Sequence, residues 1–285
     1  MNKLLSAEFG RLVKSMVFKI SLLFSAGLGL FCVLMRWLDI KKNPDIYANL
    51  GIEYSNADGL IFAGGLYLIF VIAVLVSIFV GIEYSDGTIR NKLIAGHTRE
   101  HIYFSKLIVC MVADSIIHIT YILTVLVFGN LLIGGTTMKA TEILLFSIGS
   151  VIAMLALTAL LLLFVMVLQN KATGTVVCIL TMLVMLFAAL TIEAKLEEPE
   201  YYETCTYVDE TGKVIGVDKE RNPGYLTKKQ RVIYEQLSII LPVCQLYHII
   251  MKNADCFGWM VVYDGITMMV TTGIGIVVFK KRNLR

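Results

Sequence analysis

The chain has 285 residues, of which 57% are hydrophobic and only 16% charged, with a formal net charge of +3. An ordinary soluble domain carries about 25% charged residues, so this composition cannot wet a globular surface. Intrinsic disorder, a collagen-like repeat and a secreted disulfide scaffold are excluded by the same figures, and the charge is too slight to argue for a nucleic-acid partner.

What remains is an all-α polytopic membrane protein whose apolar side chains face lipid. Six Cys (32, 110, 178, 205, 244 and 256) form no CxxC pair, so neither a zinc site nor a redox motif is expected. A bilayer's hydrocarbon core is about 30 Å thick and needs about 20 helical residues.

In chain order, residues 1–17 come first. Leu4, Leu5, Phe9, Leu12, Val13 and Met16 return to one face there, so the segment reads as an amphipathic helix lying in the membrane interface. Residues 18–38 form the first span: Ile20 to Met35 is uncharged, and Lys19 and Arg36 flank it and snorkel outward. Arg36-Trp37-Leu38-Asp39 follows instead of a small-residue cleavage pattern, so this span is expected to stay as an anchor. The second span covers 60–80. Residues 107–132 are long enough for a third but contain Asp114 and His118. Spans four (143–168) and five (172–193) are continuous apolar runs. The last, 257–279, contains Asp264, placed near its outer end and expected to meet water.

Six spans put both termini on one side. Thirteen basic residues then fall on that side, against four on the two short opposite loops. The positive-inside rule makes the basic side cytoplasmic.

Residues 195–256 form the one sizeable external segment. Thr204–Val208 and Lys213–Val217 read as a β-hairpin around Asp209-Glu210-Thr211-Gly212. Asn222-Pro223-Gly224 breaks the chain, and Thr227-Lys228-Lys229-Gln230 has capping-box spacing for a helix that Pro242 ends or kinks. An apolar pattern resumes over 243–251. Neither helix is long enough to span, and together they form a helical hairpin that either dips into the outer leaflet or lies as a lid over the span ends. Cys205, Cys244 and Cys256 share this side, so one disulfide is possible there.

Residues 81–106, GIEYSDGTIRNKLIAGHTREHIYFSK, join spans two and three on the inner side. Asp86 or Thr88 is suited to cap a short helix, Ile89 and Leu93 share a face, and Gly96 supplies a left-handed stop. Thr98 then caps the helix that becomes span three. Arg90, Asn91, Lys92 and His97 are expected to face the cytosol. The same charges would serve a plain topogenic loop; the capped, two-faced helix argues for more.

Glu83-Tyr84-x-x-Gly87-Thr88-Ile89-Arg90-Asn91-Lys92-Leu93, followed by Gly96-x-x-Arg99 and Ser105-Lys106, resembles the cytoplasmic loop of ABC-2-type transporter permeases. Asn222-Pro223-Gly224-Tyr225, Arg231-x-x-Tyr234 and Leu241-Pro242-x-x-Gln245 extend the resemblance to the external hairpin. It implies a bacterial cytoplasmic-membrane export permease that pairs with a second copy of itself and assembles with two ATP-binding subunits. The path would run between the two copies, lined mainly by spans one, two and five. The short helix, about Thr88 to Ala95, would be the coupling helix, braced by Glu83 and Arg99.

No GxxxxGK[ST] phosphate loop occurs in the chain, so ATP and Mg are expected to bind the partner subunit, with no cofactor in this chain. A compact chain without a carbohydrate-binding domain points first to amphipathic peptides as cargo, such as toxins, bacteriocins or phenol-soluble modulins. Lipophilic drugs come second and lipid-linked glycans third.

Asp114 and His118 lie one helical turn apart inside span three, where ionisable groups are expensive. They are read as a hydrogen-bonded pair that steadies helix packing. The alternatives are a relay in a proton-coupled secondary transporter or the centre of an intramembrane hydrolase. No Ser nucleophile motif, HExxH or paired catalytic carboxylates support the hydrolase.

Overall fold

The computed structural model describes residues 1–44, 56–208, 214–253 and 255–282, without the side chains of 204, 205, 208 and 214–217. Its helices are α1 (Asn2–Lys14), α2 (Met16–Lys42), α3 (Asp58–Ile61), α4 (Gly64–Ser85), α5 (Thr88–Ile94), α6 (Arg99–Leu132), α7 (Ala140–Leu168) and α8 (Lys171–Glu197). Strands β1 (Tyr201–Val208) and β2 (Val214–Arg221) follow, then α9 (Lys228–Ile240), α10 (Pro242–Ile250) and α11 (Phe257–Lys281). Among the described residues, six helical stretches are long and apolar enough to cross a membrane: α2, α3 with α4, α6, α7, α8 and α11. The chain is an all-α polytopic membrane protein with one small strand pair.

Helix α7 sits centrally, packed against α11, α4 and α6, while α2 lies along α6 and α8 along α4. The windows of α2, α8 and α11 are only 22%, 22% and 17% buried, so these three present apolar faces outward. Such a distribution suits helices bathed in lipid.

The second span is one stretch, Asp58–Ser85, with a two-residue interruption. One uncharged run from Leu60 to Val80 reads as a single helix, but the chain turns at Phe62 and Ala63 between α3 and α4. Tyr121 of α6 explains the break. Its ring lies against Gly64, where a Cβ would stand 2.4 Å from it. Its hydroxyl donates to the Leu60 carbonyl at 2.9 Å, a group the interrupted helix leaves open.

The strands pair antiparallel from Tyr201↔Arg221 to Val208↔Val214, with an irregularity between Glu203 and Cys205. The turn residues 209–213 lie outside the described residues. Thr227 caps α9 with both capping-box bonds to Gln230 in place. Pro242 occupies the first turn of α10, where its missing N–H costs nothing, and the two helices meet at 88°. Among the described residues Cys32, Cys110, Cys178, Cys244 and Cys256 are free thiols.

Asp264 does not meet water. It is 1% exposed, because α10 lays Gln245 against it.

Candidate functional site

Helix α5 hangs between α4 and α6 on two left-handed glycines. Gly87, at φ 67°, ends α4 and is also the N-cap of α5, in place of a side-chain cap from Asp86 or Thr88. Thr88 instead opens the helix as its first residue. At the other end Gly96, at φ 88°, closes a Schellman turn: its N–H reaches Leu93 O at 3.0 Å, and the His97 N–H reaches Lys92 O at 3.1 Å. Thr98 Oγ1 accepts from the His101 N–H at 3.3 Å and starts α6.

The face of α5 turned toward the protein carries Ile89, 1% exposed, with Leu93 packed beside it. Arg90, Asn91 and Ile94 face outward, Ile94 at 84% exposure, and His97 is half-buried. Lys92 departs from the expectation of a solvent-facing side chain. It turns inward, its side chain only 15% exposed, because two buried carboxylates wait there.

Those carboxylates are Glu8 of α1 and Glu83 of α4, each 1% exposed. Lys92 Nζ contacts Glu83 Oε1 at 2.6 Å and also bonds Glu8. Lys106 of α6, fully buried, contacts both carboxylates at 2.6 Å. Arg11 adds Glu83 at 2.7 Å and Glu8 at 3.2 Å, and its guanidinium lies 3.9 Å over the Phe79 ring. Two anions and three cations from four helices therefore share one water-poor node. Burial works to raise the Glu8 pKa, but the charges and hydrogen bonds of Lys106 and Lys92 together outweigh it and hold the carboxyl down at about 2.

The N-terminal helix docks through this node. Its buried stripe is Leu4, Glu8 and Leu12, packed on α6, while Val13 is 64% and Met16 67% exposed. The apolar face expected from Leu4 to Met16 is thus split. Ser15 leaves the helical conformation between α1 and α2, so Met16 belongs to the next helix.

Arg99 does not touch α5 in any described bond. It donates to the carbonyls of Phe279 and Arg282, both at 2.5 Å, where α11 ends and its last C=O groups lack helical partners.

Asp114 and His118, both fully buried, turn to α7 instead of to each other. Thr158 donates to Asp114 Oδ2 at 2.8 Å, and His118 Nε2 meets Ser150 Oγ at 3.0 Å.

A family model described as "ABC-2 family transporter protein" matches residues 4–192, from α1 into α8. The chain belongs to the ABC-2 transporter family. No curated protein matches the chain closely enough to stand as a relative. The ABC-2 match covers every member of the ion node and the whole of α5, and it ends before the strand pair, α9, α10 and α11. This ABC-2 permease therefore has a membrane transport role, as the membrane-embedded component.

Two buried, paired carboxylates of this permease carried no advance signal in the sequence. Glu8 sits among apolar residues in a short amphipathic helix and looks like a solvent-facing charge. Asp58 looks like a loop residue, yet it is 1% exposed. It accepts from Thr136, Thr137 and Asn56, and it pairs with Lys252 at 3.0 Å, joining the ends of α3, α7 and α10.

Proposed function

We propose that this permease is the membrane subunit of an ATP-driven exporter, docked through α5 onto a separate ATP-binding subunit that carries ATP and Mg. Two permease copies and two ATP-binding subunits form the assembly, in a bacterial cytoplasmic membrane with both termini cytoplasmic. The cargo is an amphiphile, with amphipathic peptides as the first candidate class.

One observation carries the docking: the outward face of α5 offers an isoleucine at 84% exposure beside two polar side chains, while the opposite face is locked by Ile89 and Lys92. An isolated apolar side chain on a short, braced helix suits a protein groove better than water. The brace gives the contact mechanical meaning, because a rigid-body tilt of α5 pulls on α4 directly and on α1 and α6 through the ion node. Glu83 is the bracing residue in this reading. Arg99 steadies the end of α11 instead, and Leu93 serves packing.

Ile94→Asp tests the docking without touching the core. It should abolish co-purification of the ATP-binding subunit and the ATPase activity that comes with it, while the permease itself elutes unchanged. ATP hydrolysis by the purified chain alone would end the proposal.

A further inference from the structure

At the end of the molecule opposite α5, a cavity of about 580 Å³ opens between α8, α9 and the turn joining α10 to α11. Its size falls within the range of about 300–1,000 Å³ typical of small-ligand pockets. Four carboxylates line it, from Glu193, Glu197, Glu235 and Asp255, against one guanidinium, Arg231, and one imidazole, His248. Among the described ion pairs only Glu235 has a permanently cationic partner, Arg231 at 3.1 Å. Glu197 accepts from the neutral Tyr247 hydroxyl at 3.0 Å.

The floor is fixed. Ser238 donates to Glu193 Oε1 at 2.6 Å, so its oxygen is left to accept from His248 Nε2–H, and the three side chains tie α8, α9 and α10 together. Leu196, Ile239 and Met260 supply apolar wall between the carboxylates.

We infer that this cavity binds an organic cation with an apolar body: an ammonium group directed at Glu197 and Asp255, with its hydrocarbon part against Leu196, Ile239 and Met260. Carboxylates outnumber the cationic groups in this lining, and an excess of one sign beside apolar walls focuses the field and concentrates a counter-ion. A bare metal ion fits poorly, since no three of the described His, Cys, Asp and Glu side chains converge as ligands. Met260 adapts its unbranched side chain to chains of varied shape. That the cation is cargo rests on the exporter reading; the binding itself does not.

The test uses the full chain in zwitterionic nanodiscs without any ATP-binding subunit. The probe is a fluorescent Lys-bearing amphipathic peptide, compared with the same peptide carrying Gln for Lys, and dodecyltrimethylammonium serves as competitor. Tight, salt-sensitive binding of the Lys peptide is expected, weakened about tenfold by Glu197→Gln with Asp255→Asn, as removal of rim charges from a focused field predicts. Glu203→Gln, an acid-to-amide change on the exposed strand pair, should leave binding unchanged. Ile239→Trp, which fills the cavity without altering charge, should weaken binding as much as the double variant does.

Displacement by dodecyltrimethylammonium assigns recognition to the ammonium and its chain alone. Failure to displace, with both cavity variants still weak, assigns it to the peptide-borne cation. Equal binding of the Gln peptide, or unchanged binding in both cavity variants, overturns the inference. Intact binding without ATP-driven transport overturns the exporter reading alone.

Discussion

Glu8 is a buried carboxylate in contact with three cations, of which Lys106 is fully buried and Lys92 and Arg11 partly so, and that defines what its removal should do. Breaking a buried ion group by deleting one member leaves uncompensated charge, a loss of about 3–5 kcal/mol. Glu8→Gln leaves Glu83 alone against Arg11, Lys92 and Lys106. Lys106→Met leaves two anions facing two cations. The first variant should therefore melt at a lower temperature than the second in the same nanodisc, and an inverted order would show that Lys106 is the tighter constraint. The same carboxyl sets a pH dependence. Freed into water it titrates near 4.5, and docked it titrates at about 2. A lowered docked value means that the stabilisation is complete above about pH 4.5 and fades as pH falls through 2. Amide-exchange protection of α1, corrected for intrinsic rates, should be flat from neutral pH down to that range and then drop. Glu83, Lys92 and Lys106 were legible as parts of one loop motif ending just before span three, because those residues are near one another in the chain. Glu8 was not legible, because Lys92 and Lys106 lie 84 or more positions away and its one local partner, Arg11, gives no sign of them.

Helix α5 is short enough that its two ends decide whether it exists. Seven residues lie below the length at which a helix stands alone in water, so the flanking turns and the tertiary brace must supply its stability. Gly96 was legible in the sequence as the stop, since a glycine just past an apolar, helix-favouring run has one common use. The start was less legible: Asp86 and Thr88 both have capping side chains, yet the left-handed Gly87 takes the position because one residue must turn the chain out of α4 and into α5. Ala at Gly96 should cost about 1–2 kcal/mol through left-handed strain alone. Nothing lies within 4 Å of a Cβ built there, so no clash confuses the reading. Amide exchange confined to 88–95 should rise in this variant while α6 and α7 stay protected. The break between α3 and α4 was invisible for the opposite reason. Hydropathy sees an unbroken apolar run, and the cause, a Tyr121 ring lying on Gly64, comes from another helix.

Across the whole molecule, the two ends are organised alike, each around a buried carboxylate that collects partners from distant helices. Glu8 and Glu83 gather α1, α4, α5 and α6 at one end, while Asp58 gathers the loop before α7 and Lys252 at the other. Between them the described polar contacts of α6 with α7 are few and neutral in form: a threonine on Asp114 and a serine on His118. The six apolar stretches were legible from length and composition, because hydrocarbon thickness imposes both. The cross-links were not, because each joins residues from separate helices whose spacing in the chain carries no period. The packing and relay readings of Asp114 make different demands on its side chain. As a packing group it needs only to accept a hydrogen bond from Thr158, which an amide oxygen does as well. As a proton carrier it needs an ionisable oxygen. Asp114→Asn should therefore retain ATP-driven transport, and the rate should be indifferent to a collapsed proton gradient. Asp114→Leu should lower the melting temperature by the loss of about 1–3 kcal/mol that an orphaned buried hydroxyl brings. Loss of transport in Asp114→Asn with the partner's ATPase still coupled would instead make Asp114 a relay, and the buried centre of the bundle would then be part of the energy source.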